Sequence, residues 1–139
     1  MTRPVLRMLL PSAILLLAGC SDTPVAESSE PAVIDEIPGT ELSRITLSDS
    51  AAQRLDIQIA TVEQDGDQLM VPSAAVIIDA VGQYWVYTNP EPLVYIRAPL
   101  DEAWEEGTRS YFTGGVDPGT QVVVVGVPEL YGAEYGIGK

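Results

Sequence analysis

The chain has 139 residues, enough for about one domain, and its content of 46% hydrophobic and 19% charged residues is typical of a folded protein. Acidic residues outnumber basic ones 20 to 7, so the clustered Lys and Arg of a nucleic-acid-binding surface are missing. Because there is no His and only one Cys, most nucleophile–base pairs, most transition-metal sites and any internal disulfide are excluded.

Residues 1–19 have the pattern of a secretory signal peptide. Arg3 and Arg7 precede an apolar stretch of roughly eleven residues, whereas a membrane-spanning helix needs about 20. The alternative is a buried core helix, which fits a basic N-terminal head and an abrupt polar continuation poorly. We therefore predict that this segment directs secretion.

The segment ends in Leu16-Leu17-Ala18-Gly19-Cys20, which resembles the lipobox of bacterial lipoproteins. The resemblance implies cleavage after Gly19 and acylation of Cys20 as the mature N-terminus; a free or metal-binding thiol is the alternative. Several acyl chains make a strong anchor, since each buried methylene contributes about 0.8 kcal/mol. We expect a protein on the periplasmic side of the cell envelope that touches its membrane through Cys20 alone, because so acidic a chain does not bind anionic lipid.

Residues 20–43 are predicted to be the lipidated Cys and a disordered acidic tether. Ser21–Ser43 contains six acidic residues, three prolines and no basic residue. Charge of one sign and few aromatic residues leave too little apolar surface to bury.

Residues 44–139 are predicted to form one folded domain. The opening Arg44–Leu47 is typical of a strand, and Ser48 or Ser50 can cap a short helix whose apolar face is Leu47, Ala51 and Leu55.

Strand patterns dominate the rest of the domain. Tyr84–Thr88 is rich in aromatic and β-branched residues, and Val122–Val125 is apolar on both faces, as expected of a central strand. Turn signals separate the strands at 65–67, 79–82, 89–92 and 114–119. We predict a mainly β fold, a small β-barrel or sandwich of about six or seven strands with one short helix.

No set of residues indicates catalysis. The one lysine is the last residue, Lys139, so a catalytic Ser-Lys pair would have to use it. On a helix, Asp101 with Glu105 or Glu102 with Glu106 would form a carboxylate pair like that of a glycosidase, but a solvated acidic loop is the alternative. We predict no enzymatic activity, no cofactor and no metal site.

The aromatic residues divide into two groups. Tyr84, Trp85 and Tyr87 lie on one predicted strand and are expected in the core rather than in a ligand cage. Tyr131 and Tyr135 stand outside the strand pattern, in what the surrounding glycines suggest is a loose tail. With Leu130, they are the predicted anchors for a protein partner.

Several segments resemble the C-terminal region of periplasmic adaptor subunits, or membrane fusion proteins, of resistance–nodulation–division efflux pumps. Residues 45–62 are similar to the piece that enters the adaptor's membrane-proximal domain, with Asp56 where the family usually has Gly. The other matching segments are 71–76, 79–82, 84–87, 115–123 and 126–139, the last resembling the heavy-metal branch of the family.

The resemblance implies a membrane-proximal-like domain without the rest of an adaptor. Where a full adaptor inserts a β-barrel, a lipoyl domain and an α-helical hairpin, this chain has only Glu63–Met70. We therefore expect a non-catalytic envelope lipoprotein that binds an efflux pump or another envelope protein, with the inner membrane favoured by the family and the outer membrane permitted by Ser21. The alternative is a small cation- or drug-binding or sensing lipoprotein that uses a barrel mouth or the acidic segment 101–106.

Overall fold

The computed structural model describes residues 30–137, so the predicted signal peptide, Cys20, Ser21 and Lys139 lie outside the described residues. Within that range the chain forms eleven strands, two α-helices and a 3₁₀ turn at Ser73–Ala75. The elements in chain order are β1 (Ala32–Glu36), β2 (Ser43–Leu47), α1 (Asp49–Arg54), β3 (Gln58–Thr61), β4 (Glu63–Asp65), β5 (Gln68–Pro72), β6 (Val76–Ile78), β7 (Tyr84–Glu91), β8 (Val94–Leu100), β9 (Trp104–Glu106), β10 (Arg109–Phe112), β11 (Gln121–Val125) and α2 (Val127–Glu134).

The strands form two open antiparallel sheets. The large sheet has the order β1-β2-β8-β7-β11-β3, and β6 also pairs with β7; the small sheet has the order β4-β5-β10-β9. The predicted mainly β class is confirmed. Of the two predicted architectures, a barrel or a sandwich, the barrel is wrong because both sheets have free edges. There are more strands than the six or seven predicted, since strands of three residues, such as β4, β6 and β9, are too short to show a side-chain period.

The large sheet is buried on both faces. Along β7, Tyr87 belongs to a core cluster shared with the helices, and its neighbour Val86 belongs to a second cluster shared with the small sheet. In β11, Val123 belongs to the first cluster and Val122 to the second. Both are fully buried, which confirms β11 as a central strand. The domain therefore has three layers: helices, large sheet and small sheet.

Helix α1 begins and ends with standard caps. Ser48 is the N-cap, and its Oγ accepts a hydrogen bond from the Ala51 N–H at 3.2 Å. At the other end, the Ile57 N–H donates to the Ala52 carbonyl and the Asp56 N–H to the Gln53 carbonyl, which is a Schellman motif. Asp56 occupies the left-handed position of that motif, with φ 49°.

The predicted disordered tether ends earlier than expected. Residues 32–36 form β1, which pairs with β2 in the register Ala32↔Leu47 to Glu36↔Ser43. Ile34 packs against the helix-side core cluster, although acidic residues follow it in sequence. Ala32 and Ile34 point inward and Val33 between them points outward. This alternation, typical of a strand, describes the segment better than its acidic residues, which are typical of disorder.

Two segments are more regular than predicted: the turn predicted at 89–92 lies at residues 92–93, between β7 and β8, and the C-terminal tail is helical. At Asn89–Pro92, β7 continues to Glu91 with a register shift between Thr88 and Glu91, because the Asn89 side-chain amide donates to the Val94 carbonyl and keeps the strand pair together. The predicted loose tail is α2, which runs from Val127 to Glu134.

Candidate partner-binding surface

Helix α2 starts at a glycine that no other residue can replace easily. Gly126 has φ 94°, and a Cβ built on it would lie 2.2 Å from the Ile57 Cδ1 atom. Pro128 then stands in the first turn, where its missing N–H costs nothing. Val127 and Leu130 face the core, so the helix lies flat on the large sheet with its other side turned outward.

A buried ion pair fixes the end of α2. Arg97 Nε on β8 lies 3.2 Å from Glu134 Oε2, and the two side chains are only 5% and 3% exposed. Tyr87, beside Arg97 in the β7–β8 ladder, donates its hydroxyl to the same carboxylate oxygen at 2.5 Å. The helix is thus tied to the middle of the large sheet by two groups, the Arg97 guanidinium and the Tyr87 hydroxyl, which both attract the same carboxylate oxygen of Glu134.

Aromatic rings complete the surroundings of Arg97. Its guanidinium carbon lies 4.2 Å from the centroid of Trp85 and 5.4 Å from that of Tyr135, within the range of cation–π attraction. The Trp85 indole N–H in turn donates to Asp79 Oδ2 at 3.0 Å. A continuous row of contacts therefore leads from the 79–83 hairpin turn to the last residues of α2.

Two groups in this row have shifted pKa values. Burial raises the pKa of the Tyr87 hydroxyl, and the neighbouring Glu134 carboxylate raises it further. Hydrogen bonds from the Trp85 indole and the Gln83 backbone N–H lower the pKa of Asp79. Among the described residues, Arg97 Nε and Glu134 Oε1 are buried without a hydrogen-bond partner, so the row is held mainly by charge and by the Tyr87 hydroxyl.

The three predicted partner anchors lie in different places. Leu130 is 0% exposed and belongs to the helix-side core cluster, which corrects its prediction as a contact residue: it follows Val127 by three positions and faces inward. Tyr131 is half-buried, and Tyr135 is 51% exposed. The two tyrosine rings pack together with centroids 4.7 Å apart.

Apolar grooves flank α2 on both sides. One groove of about 430 Å³ is lined by Pro31, Ala32, Leu47, Ala51, Arg54, Leu55, Glu129, Leu130 and Ala133. The other, of about 380 Å³, is lined by Ser73, Ala74, Val76, Ile77, Val127, Pro128 and Tyr131. We use the name docking face for these two grooves together with Tyr131 and Tyr135. The grooves leave no local pattern in the sequence, because their residues come from distant segments.

The acidic segment 101–106 is not a helix. Asp101 pairs with Gly114 in an isolated bridge, Glu102 has a positive φ of 48°, and Trp104–Glu106 is the edge strand β9. The carboxylate pairs that a helix would have formed are therefore absent from this segment, for which a solvated acidic loop is the other interpretation of the sequence. Trp104 instead stacks on Tyr111 of β10, with ring centroids 5.7 Å apart.

No helix within residues 30–137 is long and apolar enough to cross a membrane. In the same range, no three thiol or carboxylate side chains come together as a candidate metal site. No known protein family, curated protein or solved structure matches the chain.

Proposed function

We propose that the protein is a non-catalytic envelope lipoprotein, anchored through Cys20, whose β domain binds an efflux transporter or another envelope protein through the docking face. The observation that carries this proposal is the arrangement around α2: an exposed aromatic residue, Tyr135, stands beside two apolar grooves on a helix that is fixed in place. Aromatic anchors next to apolar recesses are typical of the centre of protein–protein interfaces.

The rigid mounting of the docking face supports a binding role. Glu134 is held by Arg97 and Tyr87, so α2 presents its outer side without first having to become ordered. A preformed surface loses less conformational entropy on binding, and affinity gains accordingly. An anchor on the same membrane as the partner would add to this by raising the effective concentration.

The sheet pairing supports the adaptor-like character of the domain. The segment 45–62 and the segment from residue 71 onward are the two pieces that resemble separate parts of an adaptor. Here they share one sheet, since β2 pairs with β8 and β3 pairs with β11. The β4–β5 hairpin makes the connection. This pairing is what we expect if the two pieces form one domain without the rest of an adaptor.

Site-specific photo-crosslinking in native membranes tests the proposal. A photoreactive amino acid at Tyr135 is expected to capture a component of an efflux pump. The matched control is the same amino acid at Glu106, which is exposed on the small sheet, the layer furthest from the helices. Repeated failure to recover an envelope protein from position 135, or equal capture from both positions, would contradict a docking face at α2.

The anchor requires a separate test. A chain in which Cys20 is replaced by Ala and residues 1–19 by a signal peptide that is cleaved without acylation is expected to leave the membrane fraction with its domain folded. Metabolic labelling with a fatty acid should mark the wild-type chain and leave the variant unlabelled. An unlabelled wild-type chain that is freely soluble would overturn the lipoprotein part of the proposal and leave the docking face untouched.

One observation favours a second function, the binding of a small organic cation. The stacked Trp104 and Tyr111 lie on the outer side of the small sheet, and three glutamates, Glu102, Glu105 and Glu106, are close in sequence. Aromatic faces and carboxylates both attract cations. A thermal-shift screen distinguishes the two functions: a rise of several degrees with one cationic drug, abolished by Trp104→Ala, favours the second.

A further inference from the structure

Strand β3 is an unprotected edge of the large sheet. Edge strands expose unpaired backbone groups, and proteins commonly protect them with charged residues. The edges β1, β4 and β9 each contain two acidic residues. Strand β6, which pairs with β7 alone, has only three residues. In contrast, β3 has the sequence Gln-Ile-Ala-Thr over four residues and carries no charge.

The backbone of β3 points two donors and two acceptors outward. Val62 exchanges hydrogen bonds with the strand β11 side, its N–H donating to the Thr120 carbonyl and its carbonyl accepting from Gly119. Inward and outward pairs alternate along an antiparallel ladder. Ala60 therefore bonds inward like Val62, and the N–H and C=O groups of Ile59 and Thr61 face the open edge.

A cavity lies on each side of this edge. The first, of about 410 Å³, is on the helix side and is lined by Asp49, Ala52, Gln53, Asp56, Ile57, Ile59, Leu93 and Tyr95. The second, of about 280 Å³, lies toward the small sheet and is lined by Ala60, Thr61, Glu63, Met70, Pro72, Thr108 and Arg109. Successive side chains of an added strand would point to opposite faces, and so into one cavity and then the other.

Charge indicates the kind of strand that fits. The charged residues of the first cavity are Asp49 and Asp56, both acidic, so a Lys or Arg side chain is favoured there. The second cavity contains Glu63 and Arg109, of opposite charge, and suits an uncharged side chain. Pairing of β3 with β3 of a second copy would bring the acidic flanks Asp56 and Glu63 of the two chains together, on a protein of net charge −13.

We propose that the β3 edge binds an extended basic segment of a partner protein by strand addition. The segment pairs with the outward groups of Ile59 and Thr61 and places a Lys or Arg side chain between Asp49 and Asp56. Because β3 and α2 are different elements with different lining residues, this site does not depend on the docking face, and either can fail without the other.

The test uses the full-length chain, ¹⁵N-labelled in detergent micelles, and a synthetic peptide of alternating Lys and Val with blocked ends. We expect saturable binding with the largest amide shifts at residues 58–61. A peptide with Glu in place of Lys should bind at least tenfold more weakly. Amide shifts that are spread over the acidic surface and disappear in moderate salt would overturn the proposal. Shifts at residues 58–61 that depend on protein concentration, without peptide, would also overturn it, because they would indicate that a second copy occupies the edge.

Two variants separate the backbone and charge contributions. Ile59→Pro removes one outward N–H, a position where an edge strand tolerates Pro, and should weaken binding about tenfold. The second variant carries both Asp49→Asn and Asp56→Asn and leaves the backbone unchanged. It should abolish the preference for the Lys peptide over the Glu peptide. The test therefore stays decisive if the Pro variant fails to fold. Unchanged affinity and preference in the Asn pair would contradict the proposed orientation.

Discussion

Glu134 and Arg97 form an ion pair at 3.2 Å that is almost wholly removed from solvent, although 37 residues separate them in sequence. The pair joins the end of α2 to the centre of β8, and Tyr87 donates a hydrogen bond to the same carboxylate. The position of the docking face therefore depends on residues that do not themselves reach the surface.

Removal of one partner of this pair should be costly. Glu134→Ala leaves the Arg97 guanidinium buried without a counter-charge, and we expect the free energy of unfolding to fall by about 3 kcal/mol. The double variant Arg97→Met with Glu134→Leu should lose much less, because no charge remains unpaired. Urea denaturation of all variants measures this. If the double variant were as destabilised as the sum of Arg97→Met alone and Glu134→Leu alone, the two charges would not be coupled.

The Tyr87 hydroxyl should stabilise the domain at neutral pH and destabilise it at high pH. Tyr87→Phe removes a hydrogen bond to a carboxylate, at a cost of about 2 kcal/mol at pH 7. Because the pKa of Tyr87 is raised in the folded state, the unfolded chain releases this proton first, so stability falls as pH rises above about 10. The variant should lose less stability over that range. Tyr95→Phe, also buried, should cost little at pH 7 and serves as control.

The C-terminal caps of the two helices allow a matched comparison. Both end in Schellman motifs, but the left-handed residue is Asp56 after α1 and Gly136 after α2. Since a left-handed φ disfavours residues with a Cβ, we expect Asp56→Gly to raise the free energy of unfolding by up to about 1 kcal/mol and Gly136→Ala to lower it by a similar amount. Thermal unfolding would decide; a destabilised Asp56→Gly variant would show that the Asp56 carboxylate matters more than its backbone.

The Asp79–Trp85 hydrogen bond should be visible in an acid titration. The pKa of Asp79 is lowered in the folded state, so the stability it contributes is present above about pH 4 and is lost as pH falls through the folded-state value. Asp79→Asn should make stability less dependent on pH in this acid range. The Trp85 indole N–H resonance should move in the same titration, while that of Trp104, on the other sheet, should not. Parallel movement of both resonances would indicate global unfolding instead.

Substitutions in β1 test whether this strand, which lies in the segment predicted to be a disordered tether, packs on the domain. Ile34 packs on the helix-side core cluster, whereas Val33 beside it is 45% exposed. We expect Ile34→Ser to lower the free energy of unfolding by about 1 to 2 kcal/mol and Val33→Ser to change it by less than about 0.5 kcal/mol. Equal effects would mean that β1 does not pack as described.

The sequence indicated those parts of the fold that leave a local pattern. The mainly β class, the Ser48 cap, the turns at 65–67 and 79–82 and the central position of β11 all follow from residues close together in the chain. Strand β1 was missed because its acidic residues resemble those of a disordered segment, and only pairing with β2 orders them. The choice between a barrel and a sandwich stays open in the sequence, because strand patterns do not determine whether a sheet closes.

The candidate site was less accessible to sequence reasoning. Tyr131 and Tyr135 lie outside the strands, as predicted, and their role as partner anchors stays a prediction. Leu130 faces inward, which the sequence does not reveal because the helical period of α2 is short and interrupted by Gly132. Nothing local marks Arg97 as buried, since it stands in a strand that alternates imperfectly. Its role depends on Glu134, which only the folded chain brings near.

The location of β1 also has a mechanical consequence. It is the first described strand and an edge of the large sheet, so tension between a membrane anchor and a bound partner would enter the domain through the five residue pairs that join β1 to β2. Detachment of this strand would release residues 31–42 as about 40 Å of extra chain while β2 and the core stay folded. The protein would then lengthen under force before it unfolds, and a stretched envelope would not at once pull the domain from its partner.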